Sequence, residues 1–472
     1  MTQIIETVEE NKLTVEDLEP LAGELEAYQK IYDAYFCRKE QKREARGYLA
    51  GLMQPLPNKS IERIVLHNQG DDANAIRAMQ HFMSQGAWQD GPILTRHWQE
   101  VDQEIGSEDG VVIADGSGIP KQGQDSVGVK RQWCGQLGKV DNCQVGVFLG
   151  YASQEGYTLL DRRLYLPEEW VTDKRYADRR KKCGVPADIS FKTKPELVLD
   201  MVKEVADSGQ LRLRWLTCDE EFGRDPAFLD DVGQYLWYFA EIPPNTAVWL
   251  ARPHTEVPKW SGRGRKPSRA RLAAGEVAPL SVATQIATIP TQDWSRHTIK
   301  EGAKGPLIAD FTAIRVVAVR DGLPGPDLWL VCRRDPFTLE TKYYLSNAPP
   351  DTLLTTLVWL TGMRWPIESC FEDSKQELGL GDYQLRGWLG WHHHMTLVIL
   401  AHFFLVRLQR RIQPIVSNLT LPQAILLLKA VLPQPKVDLQ TTVDIVNYYQ
   451  RRQASAHRSH RKRRLAKFNQ LE

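Results

Sequence analysis

The spacing of apolar residues separates a helical stretch from the rest of the chain. Leu18, Leu21, Leu25 and Tyr28 recur three and four residues apart, the spacing of one helix face. Because similar spacing continues to about residue 105, we predict a helical domain over residues 1–105. DNA binding is one expected role for it, and dimerisation or packing is the alternative.

Short apolar runs typical of strands begin after this domain. A helical pattern, Lys194–Asp207, interrupts them. The strand-like runs are Val111–Asp115, Val145–Tyr151, Tyr157–Leu160, Leu213–Asp219 and Tyr235–Ala240. Strands alternating with helices predict a mixed α/β sheet over residues 106–245.

The stretch 246–345 breaks this rhythm. It is rich in Pro, Gly, Arg and Thr, and its clear apolar runs are strand-like, so we predict a β-rich insertion there. Helical patterns return over 346–415, which we assign to the second part of the same core. We predict that 416–472 is a helical region ending in a basic tail.

Composition narrows the class of protein. The chain has 472 residues, of which 42% are hydrophobic and 25% charged, values typical of soluble globular proteins. No apolar run approaches the roughly 18–20 residues that span a membrane, and Met1–Glu6 lacks the pattern of a signal peptide. Seven cysteines without a CxxC pair disfavour zinc and disulfide frameworks. We expect a cytoplasmic protein without a membrane partner.

Basic residues are clustered although the net charge is only +1. From Arg451 to Lys467 there are eight basic residues and no acidic one. From Ala251 to Arg271 there are seven basic residues and one acid, and a third cluster spans Lys174–Lys182. Solvated surfaces would explain each cluster alone, but three clusters together favour a polyanionic partner.

Three acidic residues occupy positions that could lie close together at one edge of the predicted sheet. Asp115 and Asp219 end apolar runs, and open α/β sheets place their sites at strand ends. Glu368 follows Pro366, a residue that favours a helix start, and Lys375 lies two turns further on the same face. The alternatives are that Asp115 and Asp219 are ordinary turn residues at strand ends, and that Glu368 lies on the solvated face of an amphipathic helix. If the acids converge, their hard oxygens suit two Mg²⁺ or Mn²⁺ ions about 4 Å apart, as in phosphodiester cleavage.

The histidines in Trp391–His394 are a weaker candidate for a metal site, because adjacent residues of a helix face different ways. We expect them to form a polar helix start near DNA.

Several sequence segments resemble one family. The segments Ile113–Gly123, Ser126–Val129 and Gln132–Val140, with Phe191–Leu197 and Arg386–Trp388, are similar to DDE transposases of one branch of bacterial insertion sequences, the IS701 type. That branch has a β-rich insertion between its second Asp and its Glu. The resemblance implies an RNase H-like mixed sheet flanked by helices and interrupted by the insertion, with a helical N-terminal domain and a helical basic C-terminal tail.

The branch also carries a Tyr-Arg-Glu-Lys signature with two, three and six residues between its members. Arg364, Glu368 and Lys375 fit this spacing, whereas Thr361 stands at the Tyr position. This departure leaves the role of that side chain open.

The resemblance implies a chemistry for these residues. Asp115, Asp219 and Glu368 would hold two Mg²⁺ (or Mn²⁺) ions that activate water to cut one strand at a transposon end. The freed 3′-hydroxyl would then attack target DNA. Arg364 and Lys375 would contact phosphate near the cleaved bond. The expected partners are terminal inverted repeats, target DNA and a second copy of the chain, at the bacterial nucleoid.

We also expect a set of basic and aromatic side chains to contact DNA. These are Lys121, Lys130, Arg131, Lys194, Trp260, Arg263, Arg265, Lys266, Arg269, Arg461 and Arg463. A flexible basic loop is the alternative for 261–267. Relatives with the insertion hold a flipped base on an aromatic residue, for which Trp249, Trp260 and Trp294 are candidates.

Other functions fit parts of the pattern. A domesticated transposase that binds DNA without cutting it is one alternative, and an RNase H-like nuclease without strand transfer is another. A tyrosine recombinase is disfavoured, because the only HxxR, His460–Arg463, has no Tyr after it.

Overall fold

The structure is a computed structural model that describes residues 13–260, 262, 265–302, 305–416, 419–432 and 438–468. Its N-terminal part is helical. The helices are α1 (Val15–Leu18), α2 (Leu21–Ile31), α3 (Lys39–Leu52), α4 (Ile61–Gln69), α5 (Ala73–Gln85) and α6 (Asp90–Ile105).

Strands and helices then alternate. The strands are β1 (Val111–Pro120), β2 (Lys130–Cys134), β3 (Lys139–Ser153), β4 (Gly156–Tyr165), β5 (Trp215–Cys218) and β6 (Trp237–Ile242). The helices are α7 (Glu168–Thr172), α8 (Ala177–Lys182), α9 (Lys194–Ser208), α10 (Glu220–Gly223) and α11 (Pro226–Val232). Helix α9 begins and ends where its sequence predicts: Thr193 forms a capping box with Glu196, and Gly209 takes the left-handed conformation.

The next stretch is mainly strands. They are β7 (Ala247–Trp249), β8 (Thr255–Glu256), β9 (Arg271–Leu272), β10 (Leu280–Ser281), β11 (Ser295–Gly302), β12 (Gly305–Arg320), β13 (Leu323–Arg334) and β14 (Thr341–Ser346), with helix α12 (Val282–Ala287). The chain closes with α13 (Leu354–Gly362), α14 (Trp365–Gln376), α15 (Trp388–Ile412), α16 (Leu421–Val431) and α17 (Leu439–Phe468).

One mixed sheet of twelve strands organises the described residues. Its order is β10-β7-β12-β13-β14-β6-β5-β1-β3-β2, with β11 beside β12 and β4 beside β3. The strands β1, β5 and β6 are parallel, and β3 pairs antiparallel with β1. The predicted class, a mixed α/β sheet with helical ends, is confirmed. The predicted domain bounds stay predictions.

The β-rich stretch continues this sheet. Strand β14 pairs antiparallel with β6, and β13 and β12 follow it outward. Strands β8 and β9 form a separate small ribbon. The chain therefore leaves the parallel strands at β6 and returns beside β6 at β14, and α13 and then α14, which carries Glu368, follow.

Helix α15 lies in the core. It is long and apolar enough to cross a membrane, but 89% of its most apolar window is buried inside the fold. It packs against α3, α5, α6 and β4. The predicted polar helix start at His392–His394 is wrong, because these side chains are buried in the middle of the fold. His393 bonds the Met83 carbonyl at 3.0 Å, and His394 bonds the Tyr48 hydroxyl at 2.8 Å.

Close packing at Gly223 gives a test of the sheet. A Cβ added there would lie 1.9 Å from the backbone oxygen of Glu241. We expect Gly223→Ala to lower the free energy of unfolding by about 2–4 kcal/mol, because α10 must move off β6. Gly91→Ala is the control, since nothing lies within 4 Å of its added Cβ. Equal thermal melting of both variants would contradict the packing described.

Candidate active site

The parallel strands place three acids side by side. In the sheet register Ala114 is opposite Cys218, and Cys218 is opposite Ala240. The next residue on each strand is an acid: Asp115 on β1, Asp219 directly after β5 and Glu241 on β6. Neighbouring strands lie about 4.8 Å apart, so these three positions form a row across the sheet. We call this row the acidic rung.

The position of Asp115 differs from the prediction in one respect. It lies inside β1, because β3 pairs with β1 as far as Pro120. The parallel pairing with β5 stops one residue earlier, at Ala114. The acid therefore stands where the parallel part of the sheet ends, although the strand itself continues.

Asp219 is fixed by the helix that follows it. It is the N-cap of α10, and its carboxylate accepts hydrogen bonds from the backbone nitrogens of Glu221 at 2.9 Å and Phe222 at 3.4 Å. Burial, with the carboxylate of Glu221, raises the pKa of Asp219. Lys194 pairs with Glu221 at 2.6 Å. This predicted DNA contact thus lies next to the rung, engaged with an acid.

Helix α14 brings the signature residues to the rung. Arg364 is its N-cap and Pro366 lies in its first turn, as the sequence predicts. The Nη2 atom of Arg364 lies 2.6 Å from the Oε1 of Glu368, and its Nε lies 3.9 Å from the Oε2 of Glu241. Arg364 thus stands between the helix acid and one rung acid.

The electrostatics show how close these groups are. Burial and the Asp219 carboxylate raise the pKa of Asp115 to about 7, against the opposing charge of Arg364. Against the cost of burial, the carboxylates of Glu368, Asp115, Glu241 and Asp219 together raise the pKa of Arg364. The site therefore contains several carboxylates close together, and the positive charge of Arg364 partly offsets their mutual repulsion.

Lys375 is the second cation at the site. Burial lowers the pKa of Lys375, and the opposing influences are Cys134 and Asp115. Thr361, at the signature's Tyr position, is buried, and its hydroxyl donates to the Val358 carbonyl at 2.6 Å within α13. The Thr361 hydroxyl therefore forms its hydrogen bond within α13.

The carboxylate donors fit the predicted ions in type, because Mg²⁺ and Mn²⁺ prefer oxygen ligands. As the described side chains stand, no group of three or more His, Cys, Asp or Glu could hold a metal ion. The Glu368 carboxylate is paired with Arg364. In this pairing Glu368 does not form a metal-ligand group with Asp115 and Asp219. Asp115, Asp219 and Glu368 as metal ligands stay predictions.

The predicted DNA contacts fall into two groups. In the first, side chains are engaged within the protein: Lys130 pairs with Glu169, and Lys121 donates to the Tyr383 carbonyl at 3.2 Å and lies over its ring. Burial lowers the pKa of Lys121 to about 7. The second group is exposed and comprises Arg131, Trp260, Arg265, Lys266, Arg269, Arg461 and Arg463. Arg263 lies outside the described residues.

The aromatic candidates also divide. Trp249 is buried and its indole donates to the Val277 carbonyl at 2.8 Å, so it is structural. Trp294 lies under the Arg334 guanidinium, 3.9 Å from its ring centroid. Of these three residues, only Trp260 is exposed.

Two residues at the site, Glu241 and Lys342, are not among those predicted from the sequence. Glu241 completes the acidic rung, and Lys342 on β14 pairs with it at 3.0 Å. The signal for Glu241 was available: it follows the apolar run of its strand, as Asp115 and Asp219 follow theirs. A cavity of about 640 Å³ lies elsewhere, lined by residues such as Asp161 and Arg162 and by none of the rung acids.

The raised pKa of Asp115 predicts how stability depends on pH. An unfolded Asp loses its proton near pH 4, whereas folded Asp115 holds it to about pH 7. The free energy of unfolding of the metal-free protein therefore falls between these pH values and stays low above them. We expect Asp115→Asn to stabilise the metal-free protein by roughly 1–3 kcal/mol at pH 8 but little at pH 4.

Thermal unfolding in a chelator at both pH values measures this effect. If the Asp115→Asn protein melted no higher than the native protein at pH 8, the pKa of Asp115 would not be raised by burial and the Asp219 carboxylate as described.

Comparison with known proteins identifies the family. The family model for DDE superfamily endonucleases matches residues 31–306, a range that includes Asp115 and Asp219 and ends before Glu368. Over 360 residues the chain is 27% identical to the probable transposase for insertion sequence element IS701 of Microchaete diplosiphon, covering 72% of this chain and 77% of that protein. These two matches confirm the predicted resemblance to a DDE transposase of an insertion sequence.

A cryo-EM structure of the piggyBac transposase synaptic complex with hairpin DNA is similar with a TM-score of 0.38 and 10% identity, over 91% of this chain and 82% of that chain. The family match, which spans more than half of the chain, is the finding that decides the assignment. The chain belongs to the DDE superfamily of endonucleases.

Proposed function

We propose that this protein is a transposase that cuts phosphodiester bonds at transposon ends and joins them to target DNA. The observation that carries the proposal is the acidic rung with Arg364 and Glu368 beside it. Burial and the neighbouring Asp219 carboxylate raise the pKa of Asp115 to about 7. Partly buried carboxylates on adjacent strands offer the oxygen ligands that divalent cations prefer. The match to DDE superfamily endonucleases supports the same chemistry.

In this proposal Asp115, Asp219 and Glu368 are the metal ligands. These residues would hold two Mg²⁺ or Mn²⁺ ions, which would activate a water molecule and stabilise the leaving oxygen. Asp219 is held for this role by the backbone nitrogens of α10. Asp115 must give up its proton to become a ligand, so ion binding releases a proton near neutral pH.

The cations of α14 hold the DNA backbone. Arg364 offers a planar fork to a phosphate, and Lys375 offers a point charge. In the first step a water oxygen bonds to phosphorus and the 3′ oxygen leaves as a hydroxyl. In the second step that 3′-hydroxyl attacks a target phosphodiester and displaces another 3′ oxygen. The same residues serve both steps, with two copies of the chain on paired ends.

The basic part of α17 is the proposed nonspecific DNA contact. Its first basic residues are engaged, since Arg451 pairs with Asp71 and Arg452 with Glu62. Arg461 and Arg463 are exposed and form no ion pair within the described part of the chain. An exposed basic helix suits phosphate rather than base recognition.

We expect Asp115→Ala, Asp219→Ala or Glu368→Ala to reduce cleavage of a terminal-repeat duplex roughly a thousandfold or more, since each removes a proposed ligand. Binding of the same duplex in a gel shift should persist. The DNA flanking the gene supplies the substrate, and Mg²⁺ and Mn²⁺ are tested separately.

Full cleavage by the Glu368→Ala protein would overturn the proposal. Binding without cleavage by the native protein would favour a domesticated DNA-binding protein. Cleavage without joining in a plasmid integration assay would favour a nuclease.

Charge removal on α17 tests the second contact. Replacing Arg461, Lys462, Arg463 and Arg464 by Gln should weaken DNA binding at low salt, because counterion release is lost. The slope of log affinity against log salt should become shallower by about 0.9 for each phosphate contact removed. The control is the double variant Lys30→Gln with Arg43→Gln. Both of these basic side chains already form ion pairs within the protein, Lys30 with Glu26 and Arg43 with Glu44. An unchanged slope in the α17 variant would exclude this contact.

A further inference from the structure

Arg364 is shared between two acids with different tasks. It lies 2.6 Å from Glu368, a proposed metal ligand, and 3.9 Å from Glu241, which has no assigned role. The two contacts use different atoms, Nη2 toward Glu368 and Nε toward Glu241. The guanidinium therefore bridges helix α14 and strand β6.

The proposed function creates a conflict at this bridge. A Glu368 carboxylate that binds ions has less charge to offer Arg364, so the guanidinium loses its nearest partner. The Arg364 side chain is only 23% exposed. A largely buried guanidinium without a partner is costly and would swing away from the site.

Glu241 is built to hold Arg364 through this change. One of its oxygens accepts from Lys342 at 3.0 Å, and the other faces the Nε of Arg364. Lys342 lies on β14, where the pairing of Tyr344 with Glu241 fixes it as a diagonal neighbour. The carboxylate is thereby anchored by the sheet, independently of α14.

We propose that Glu241 is a positioning residue for Arg364, resting on the function proposed above. It keeps the guanidinium beside the rung when Glu368 turns to its ligand role, so that Arg364 meets the DNA phosphate already oriented. Lys342 occupies one Glu241 oxygen, which leaves Glu241 suited to hold an arginine rather than an ion.

A double-mutant cycle tests the coupling. Glu241→Gln keeps the shape and removes the charge, and we expect it to slow cleavage of the terminal-repeat duplex roughly 10–100-fold. Arg364→Gln should be at least as slow. The double variant should match Arg364→Gln within about threefold, because Glu241 acts only through Arg364. Glu204→Gln, which breaks a surface pair with Arg163, should cleave at the native rate.

Metal affinity separates positioning from ligation. Calorimetric titration of the DNA-free protein with Mn²⁺ should give Glu241→Gln an affinity within about threefold of the native value, whereas Asp219→Ala should lose more than about tenfold. Thermal melting should show that Glu241→Gln is folded.

Three results would overturn the inference: native-rate cleavage by Glu241→Gln, independent losses that multiply in the double variant, or a loss of Mn²⁺ affinity as large as that of Asp219→Ala. Native-rate cleavage by Asp115→Ala or Glu368→Ala would instead overturn the proposed function, so the two failures are distinguishable.

Discussion

The shared register of three parallel strands is the constraint on which the site depends. With Ala114, Cys218 and Ala240 aligned, the following acids must stand side by side. Such a row is electrostatically unfavourable, and burial together with the Asp219 carboxylate raises the pKa of Asp115. Arg364, at the start of α14, supplies a positive charge that offsets part of this repulsion. Function would replace part of that counter-charge by divalent ions.

The route of the chain explains how Glu368 reaches a rung laid down far earlier in the sequence. After β6 the polypeptide builds further strands of the same sheet and then returns at β14, directly beside β6. Helices α13 and α14 follow, and α14 packs against β1, β3 and β4. The β-rich stretch is thus part of the scaffold that returns the signature residues, and Lys342 on β14 contributes a cation to Glu241.

Local patterns were sufficient to predict the mixed sheet, the position of Asp219 at a strand end and the helix start near Pro366. Features that depend on tertiary register were missed. Glu241 follows an apolar run, as Asp115 and Asp219 do, but only the pairing of β6 with β5 places it in the same row as these acids. The histidines from His392 were misread because polarity suggested a surface, whereas backbone carbonyls and Tyr48 satisfy them inside the core. The partners of Lys121, likewise, come from residues more than 250 positions away.

The most direct measurement is the location of Mn²⁺ by anomalous scattering in crystals of the protein with a terminal-repeat duplex. We expect two ions about 4 Å apart, each bound by carboxylate oxygens of Asp115, Asp219 or Glu368. We also expect Glu368 to have turned from Arg364 while Arg364 remains beside Glu241. Mn²⁺ bound away from the acidic rung, or no Mn²⁺ at the rung at saturating concentration, would contradict the proposed metal site.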